Sequence, residues 1–599
     1  MSPEIALDFT EQLIMFEKFG NVSACASTQT DQPVSIPTTD SLKIKCEAAY
    51  PQCNYCMHHN IACTYSRIVS GSKKRWANHI CPQLVRELPS AVRYWKLSAP
   101  PEISMVNLGL MYLDGMRHIT DREQAWIESR TGEAVNMERL HTMQLPWAKD
   151  APGRLPSMIP KLPARPIVEQ YVALYCSSYQ CLVFPVISKS LFTDTLDLAY
   201  GPPSPGSDSA KACIYAFLSV VMIFGFANNL GDVLDCETYA IAAQSFTAPL
   251  INEMTIDGLQ TLILLTQHQY FLGNLESAAI TVSIASRLLF KLGAHTISPP
   301  ATYNKSILDC HLRDLFWLCY SFDQDICLRI GQPPSICGVF CNLDLPPDYV
   351  RLQDSNLQQD QNLSITDVTL PLYPWDLRLS QLKSDIYEAL YSTTAFQKSN
   401  SEIYGSIRSL DQALEHWRTS LHPDIRPTLQ FSPGMPVSFS LNTQAVMLRL
   451  AYYHCVTIIH QASERHYEGP GVCSSINLAI SASRSTLSFL KTALPVVEGE
   501  CFWVIIFYAI SAILTLFRNI LKTPRDPAML DLVNMLQDVP NLIRKIPIRT
   551  LTLAPMIHLR FLENFTTELA RLCSCAILKA EREDAALASN DEAASSWHL

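Results

Sequence analysis

Two apolar runs constrain this chain more than any other feature. ACIYAFLSVVMIFGFA (212–227) carries no charge over sixteen residues, and CFWVIIFYAISAILTLF (501–517) none over seventeen, the second bounded by Glu500 and Arg518. Both fall short of the eighteen or more apolar residues that a membrane-crossing helix needs. They read instead as helices buried inside a large all-α domain, with no membrane as partner.

The pattern beyond residue 165 agrees. ITVSIASRLLFKL sets Ile280, Ile284, Leu288 and Leu292 four apart, with Ala285 and Leu289 beside them, and Gly293 follows as a helix stop. AVMLRLAYYHCVTII repeats the spacing with Ala445, Leu448, Tyr452, Cys455 and Ile459. No sustained period-two alternation competes. With 48% hydrophobic and 17% charged residues in 599, the chain has the apolar content for a sizeable core and the length for several folding units.

Punctuation divides the chain. Residues 1–40 combine an acidic amphipathic start, IALDFTEQLIMFEKF, with a polar Ser/Thr/Pro stretch that reads as disordered. Residues 41–75 form a compact cysteine-bearing module, and 76–160 a mixed linker ending in LPWAKDAPGRLPSMIPKLPARP. The helical domain is expected over 161–575, and the charged, small-residue tail 576–599 reads as disordered.

Charge singles out the second segment. Lys43, Lys45, Arg67, Lys73, Lys74 and Arg75 face the single acid Glu47, a net of +5 on a chain whose formal charge is −10. A small cationic module on an acidic body is the footprint of nucleic-acid contact. The same module holds CEAAYPQCNYCMHHNIAC (46–63). Cys53 and Cys56, two residues apart, can turn back onto one zinc ion, and Cys46 and Cys63 lie six residues to either side. The N-terminus lacks the basic region of a secretory leader, so thiols are expected as metal ligands and small buried hydrophobes rather than disulfides.

That run resembles the fungal six-cysteine binuclear zinc cluster family of DNA-binding transcription factors, whose pattern repeats C-x2-C-x6-C on either side of a loop. Cys46 matches the third cysteine, Pro51 the loop, and Cys53, Cys56 and Cys63 the fourth to sixth. Where the first two cysteines belong stand Pro37 and Asp40. By the family's wiring the two-metal core cannot close, although four thiolates can still enclose one zinc. Three readings stay open: a replaced first coding segment, a cluster that has degenerated, and a single-zinc variant. The resemblance implies that Lys45 reads a guanine edge in CGG-like half-sites of double-stranded DNA, with Lys43 and the Lys73, Lys74 and Arg75 patch on phosphates. It also implies nuclear localisation and contact with the transcription machinery, and it allows a homodimer.

A second stretch, HLRDLFWLCYSFDQDICLRIGQPPSI (311–336), resembles the signature of the fungal-specific transcription factor homology domain. Arg313, Leu315, Phe316, Trp317, Tyr320, Asp323, Arg329, Gly331 and Pro333 fit its places. Read physically, the three aromatics anchor a core, Asp323 and Arg329 are expected to form a buried ion pair, and Gly331 with the prolines ends the helix. GxSxG, P-loop, HExxH and GxGxxG motifs are absent, and His454 and His460 on an apolar helix read as core residues, so no enzyme activity is expected. The reading is a sequence-specific DNA-binding regulator of a fungal metabolic gene set, with secondary metabolism included. The alternative is a co-regulator that keeps the helical body and a dead cluster.

Overall fold

The computed structural model describes residues 121–596 with interruptions, the longest at 141–158 and 354–370. The chain divides into two units, Met1–Ser98 and Ala99–Leu599, and the described residues belong to the second. Cys46, Cys53, Cys56, Cys63, Lys43, Lys45, Lys73, Lys74 and Arg75 therefore lie outside the described residues.

Among the described residues every regular element is a helix, as the periodicity predicts. The architecture rests on α1 (Asp121–Thr131), α2 (Arg165–Cys176), α3 (Tyr179–Val183), α4 (Ser207–Ile223), α5 (Ile256–Phe271), α6 (Leu275–Lys291) and α7 (Ile307–Ile330). It continues with α8 (Leu377–Ile386), α9 (Thr443–Gln461), α10 (Pro470–Ala493), α11 (Phe502–Lys522), α12 (Ala528–Lys545) and α13 (Leu553–Ser596). Successive helices pack on one another: α4 on α5, α5 on α6, α6 on α7 and α7 on α8 in one half, then α9, α10 and α11 in the other. Helix α11 also packs on α5, which joins the halves.

Local chemistry sets the helix ends. Thr255 starts α5 by accepting the Gly258 N–H at 3.1 Å. Asp376 starts α8 by accepting from Arg378 N and Leu379 N, and Ser399 with Glu402 forms a capping box ahead of the helix at Asn400–Ser420. Gly331 closes α7 at φ +67°, a left-handed conformation that costs a residue with a Cβ about 1 kcal/mol.

The two uncharged runs become α4 and α11. Helix α11 is long and apolar enough to cross a membrane, yet its residues from Val504 to Leu521 are buried inside the protein. Helix α9 is buried on nearly every side, Ala445, Leu448, Tyr452, Cys455 and Ile459 included. A helix apolar all round belongs in the middle of a large core.

Three expectations change. The buried face of α6 centres on Ala278, Val282, Ala285 and Leu289, so the stripe named from the sequence lies along its edge, and Ile280 is 64% exposed. The expected linker over 76–160 contains α1, which packs on α13. The Asn136 N–H donates to the buried Glu568 at 3.0 Å, and Lys579 donates to the Ser129 carbonyl at 2.6 Å. The expected disordered tail 576–599 is helical through Ser596. Arg525, in the turn between α11 and α12, pairs with its Glu583 and Asp584 at 2.7 and 2.8 Å.

Candidate functional site

The signature helix α7 lies at the centre, with nearly every residue from His311 to Ile330 buried. Phe316, Trp317 and Tyr320 pack ring on ring at 5.3–5.9 Å. The Arg313 guanidinium lies over Phe316 and Trp317 at 4.6 and 5.0 Å and donates to the Asp344 carbonyl at 2.8 Å. It thereby fastens the loop that follows the helix.

Asp323 does not pair with Arg329. Six residues apart on a helix, the two side chains point about 120° from one another at 3.6 residues per turn. Asp323 instead accepts the backbone N–H groups of Ser335 and Ile336 at 3.1 and 2.8 Å, and Gln324 donates to the Ile336 carbonyl at 2.9 Å. Burial pushes the Asp323 carboxyl up to about 6, and the two N–H groups hold it back from rising further. This aspartate is a clamp on the Gln-Pro-Pro-Ser-Ile turn.

Arg329 pairs with Asp325, one turn earlier on the same face, at 2.6 Å. Lys383 from α8 donates to the same carboxylate, and the Tyr270 hydroxyl from α5 donates at 2.7 Å. The guanidinium also lies over Phe507 and Tyr508 of α11 at 4.3 and 4.6 Å. His454 of α9 stacks edge-on against those two rings. Burial, with Arg329 and Lys383 nearby, drives its imidazole down to about 3, so it stays neutral. Three helices thus meet on one carboxylate, and the rings of α11 and α9 extend the network to five. Asp325 is displaced upward by burial, but Arg329 and Lys383 more than reverse this and leave it at about 2.

A second buried triad has the same stoichiometry: Glu464 takes Arg518 at 2.7 Å and Lys522 at 2.9 Å. His460, also buried, faces Asp411 and Ser475 at 3.3 Å each. Among the described residues no three His, Cys, Asp or Glu side chains converge as a metal site. Beside Ile280 a groove of about 520 Å³ opens, lined by Ile251, Met254, Ile284, Arg287 and Lys291. Sequence reasoning missed Asp325, Tyr270 and Lys383. The Asp325–Arg329 spacing of four was the available signal; the partners on α5 and α8 lie more than fifty residues away in the chain.

Residues 173–419 match the family model described as the fungal specific transcription factor domain. Residues 41–72 match the fungal Zn(2)-Cys(6) binuclear cluster domain, whose metal is zinc. The match begins after the positions of the two missing cysteines. Similar proteins include an ABC-transporter-regulating transcription factor of Aspergillus fumigatus, 30% identical over 45% of this chain and 31% of that protein. A protein of the same description from Aspergillus oryzae is 24% identical over 70% of this chain and 49% of its own length. The Fusaridione A cluster transcription factor of Fusarium heterosporum is 25% identical over 43% of this chain and 48% of its own. The chain spans less than half the length of each of these relatives.

Proposed function

We propose, for a chain that carries both domains of the fungal zinc-cluster transcription regulators, that it binds duplex DNA through residues 41–75 and governs transcription through the helical body. One observation carries this reading: the cluster domain at 41–72 and the regulatory domain at 173–419 occur in one chain, in that order. The cysteines present fit one zinc rather than two, because Pro37 and Asp40 stand where two thiolates belong. Cys46, Cys53, Cys56 and Cys63 would hold that ion, whose contribution is to fix the short basic segment in one shape. Lys45 then addresses guanine N7 and O6 in the major groove, and Lys43, Lys73, Lys74 and Arg75 neutralise phosphates.

Such a protein works in the nucleus. The two Aspergillus relatives are named for regulating ABC transporters, which makes transporter genes the first target set to examine. A second reading, a co-regulator that no longer touches DNA, is favoured by the same two substitutions at 37 and 40.

Selection of the full chain on a pool of random duplexes separates the two readings. The DNA-binding reading expects enrichment of CGG-like triplets, lost in Lys45→Ala at a cost of about 1–3 kcal/mol per base contact. A pool that emerges without any enriched sequence supports the co-regulator instead.

A further inference from the structure

The core uses only part of the apolar stripe that the sequence marks on α6. Leu288 is buried and Ile284 partly so, but Ile280 stands in solvent. Ile251 and Met254, at the end of the short helix Thr247–Glu253, are 43% and 41% exposed and line the same groove of about 520 Å³. From Ile280 to Lys291 the groove follows α6 for about 16 Å, roughly three turns at 1.5 Å per residue.

Met254 is strained where it stands. It closes its helix at φ +50°, and its N–H donates to the Leu250 carbonyl at 3.1 Å. A glycine would take that left-handed conformation without the roughly 1 kcal/mol that a Cβ adds. The chain instead places a flexible thioether at the groove, a side chain that adapts to the shape of whatever packs on it.

Two cations and no acid line the groove. Arg287 and Lys291 lie one turn apart toward its far end, both exposed and neither with an ion-pair partner among the described residues. This positive edge stands out on a chain whose formal charge is −10.

We propose that the groove is a docking surface for an amphipathic helix of a partner protein. Its apolar face would cover Ile251, Met254, Ile280 and Ile284, and its carboxylates would meet Arg287 and Lys291. The walls are helices whose backbone groups are already bonded, so an extended segment finds no ladder to join. The occupant must satisfy its own backbone, and a helix does so while offering residues at i, i+4 and i+7 to a straight groove. Ser283, also in the lining, shares a hydrogen bond with Ser335 at 2.6 Å, which ties this surface to the turn that Asp323 clamps. Docking here requires no DNA contact by residues 41–75.

The probe is a synthetic alanine-based helix with leucines at i, i+4, i+7 and i+11 and two glutamates flanking the last leucine. Its twin carries lysines in place of the glutamates, and fluorescence anisotropy reads the binding of each to the intact chain. The glutamate peptide is expected to bind about tenfold more tightly than its twin, the difference made when two exposed ion pairs replace two repulsions. Ile280→Asp, at a position already in water, should weaken the glutamate peptide by about tenfold or more. Arg287→Glu combined with Lys291→Glu should reverse the preference. Equal binding of the twins, the preference for lysines that net charge alone dictates, or undiminished binding to the Ile280→Asp chain overturns the proposal. So does a dimer in light scattering that Ile280→Asp takes apart, because the groove then belongs to a second copy.

Discussion

Asp325→Ala is expected to destabilise the helical domain by about 3–5 kcal/mol. The carboxylate is the shared partner of Arg329 and Lys383, both of which are buried. Removing it leaves two cations in apolar surroundings, facing one another and the rings of Tyr270, Phe507 and Tyr508. Cation–π attraction offsets only about 1–2 kcal/mol of that. Urea unfolding followed by circular dichroism reads the effect. Replacing all three charges by apolar residues of similar volume (Asp325→Leu, Arg329→Met, Lys383→Met) should recover most of the loss, because the desolvation penalty leaves with the charges. If the single substitution costs under about 1 kcal/mol, the network is not what holds these five helices together. The carboxylate sits below its ordinary value near 3.8, at about 2. Its contribution is therefore complete above pH 3.8 and is lost as the pH falls through 2.

Cys53→Ser is expected to abolish zinc retention and to lower affinity for a CGG-bearing duplex about a thousandfold, to the level of non-specific binding. On the proposed reading, Cys53 belongs with Cys56 to the closely spaced pair that would grip the ion. With three thiolates left the tetrahedron is open, and the lysines lose their fixed placement while keeping their charge. Residual binding should then be indifferent to sequence and fall steeply with salt. Metal analysis and fluorescence anisotropy at two salt concentrations read both effects. Cys25→Ser and Cys81→Ser, outside the spacing, should leave zinc content and affinity unchanged.

Several of these features were legible in the residues, and the exceptions share a cause. Uncharged runs announced α4 and α11 because only a buried helix tolerates that composition, and Gly293 and Gly331 marked helix ends because both sit at positive φ. The Asp323–Arg329 pairing failed because a sequence shows that two charges are near in number, not which face each takes. Lys383 and Tyr270 joined the network through tertiary packing that local pattern does not encode. The tail 576–599 was misread from its charge. EREDAALASNDEAA is rich in good helix formers that continue α13, and Arg525, more than fifty residues away, reaches Glu583 and Asp584 on it. The zinc-cluster domain is the reverse case: its match at 41–72 falls where the cysteine spacing and the flanking lysines put it.

On the proposed reading, metal held by residues 46–63 makes this chain a DNA-binding regulator. This claim is tested most directly by measuring the affinity of the purified full chain for a CGG-bearing duplex as purified, after zinc is chelated away, and after zinc is restored. Affinity that collapses on chelation and returns with zinc is the predicted result. Affinity that is the same in all three states, or negligible in all three, contradicts the claim.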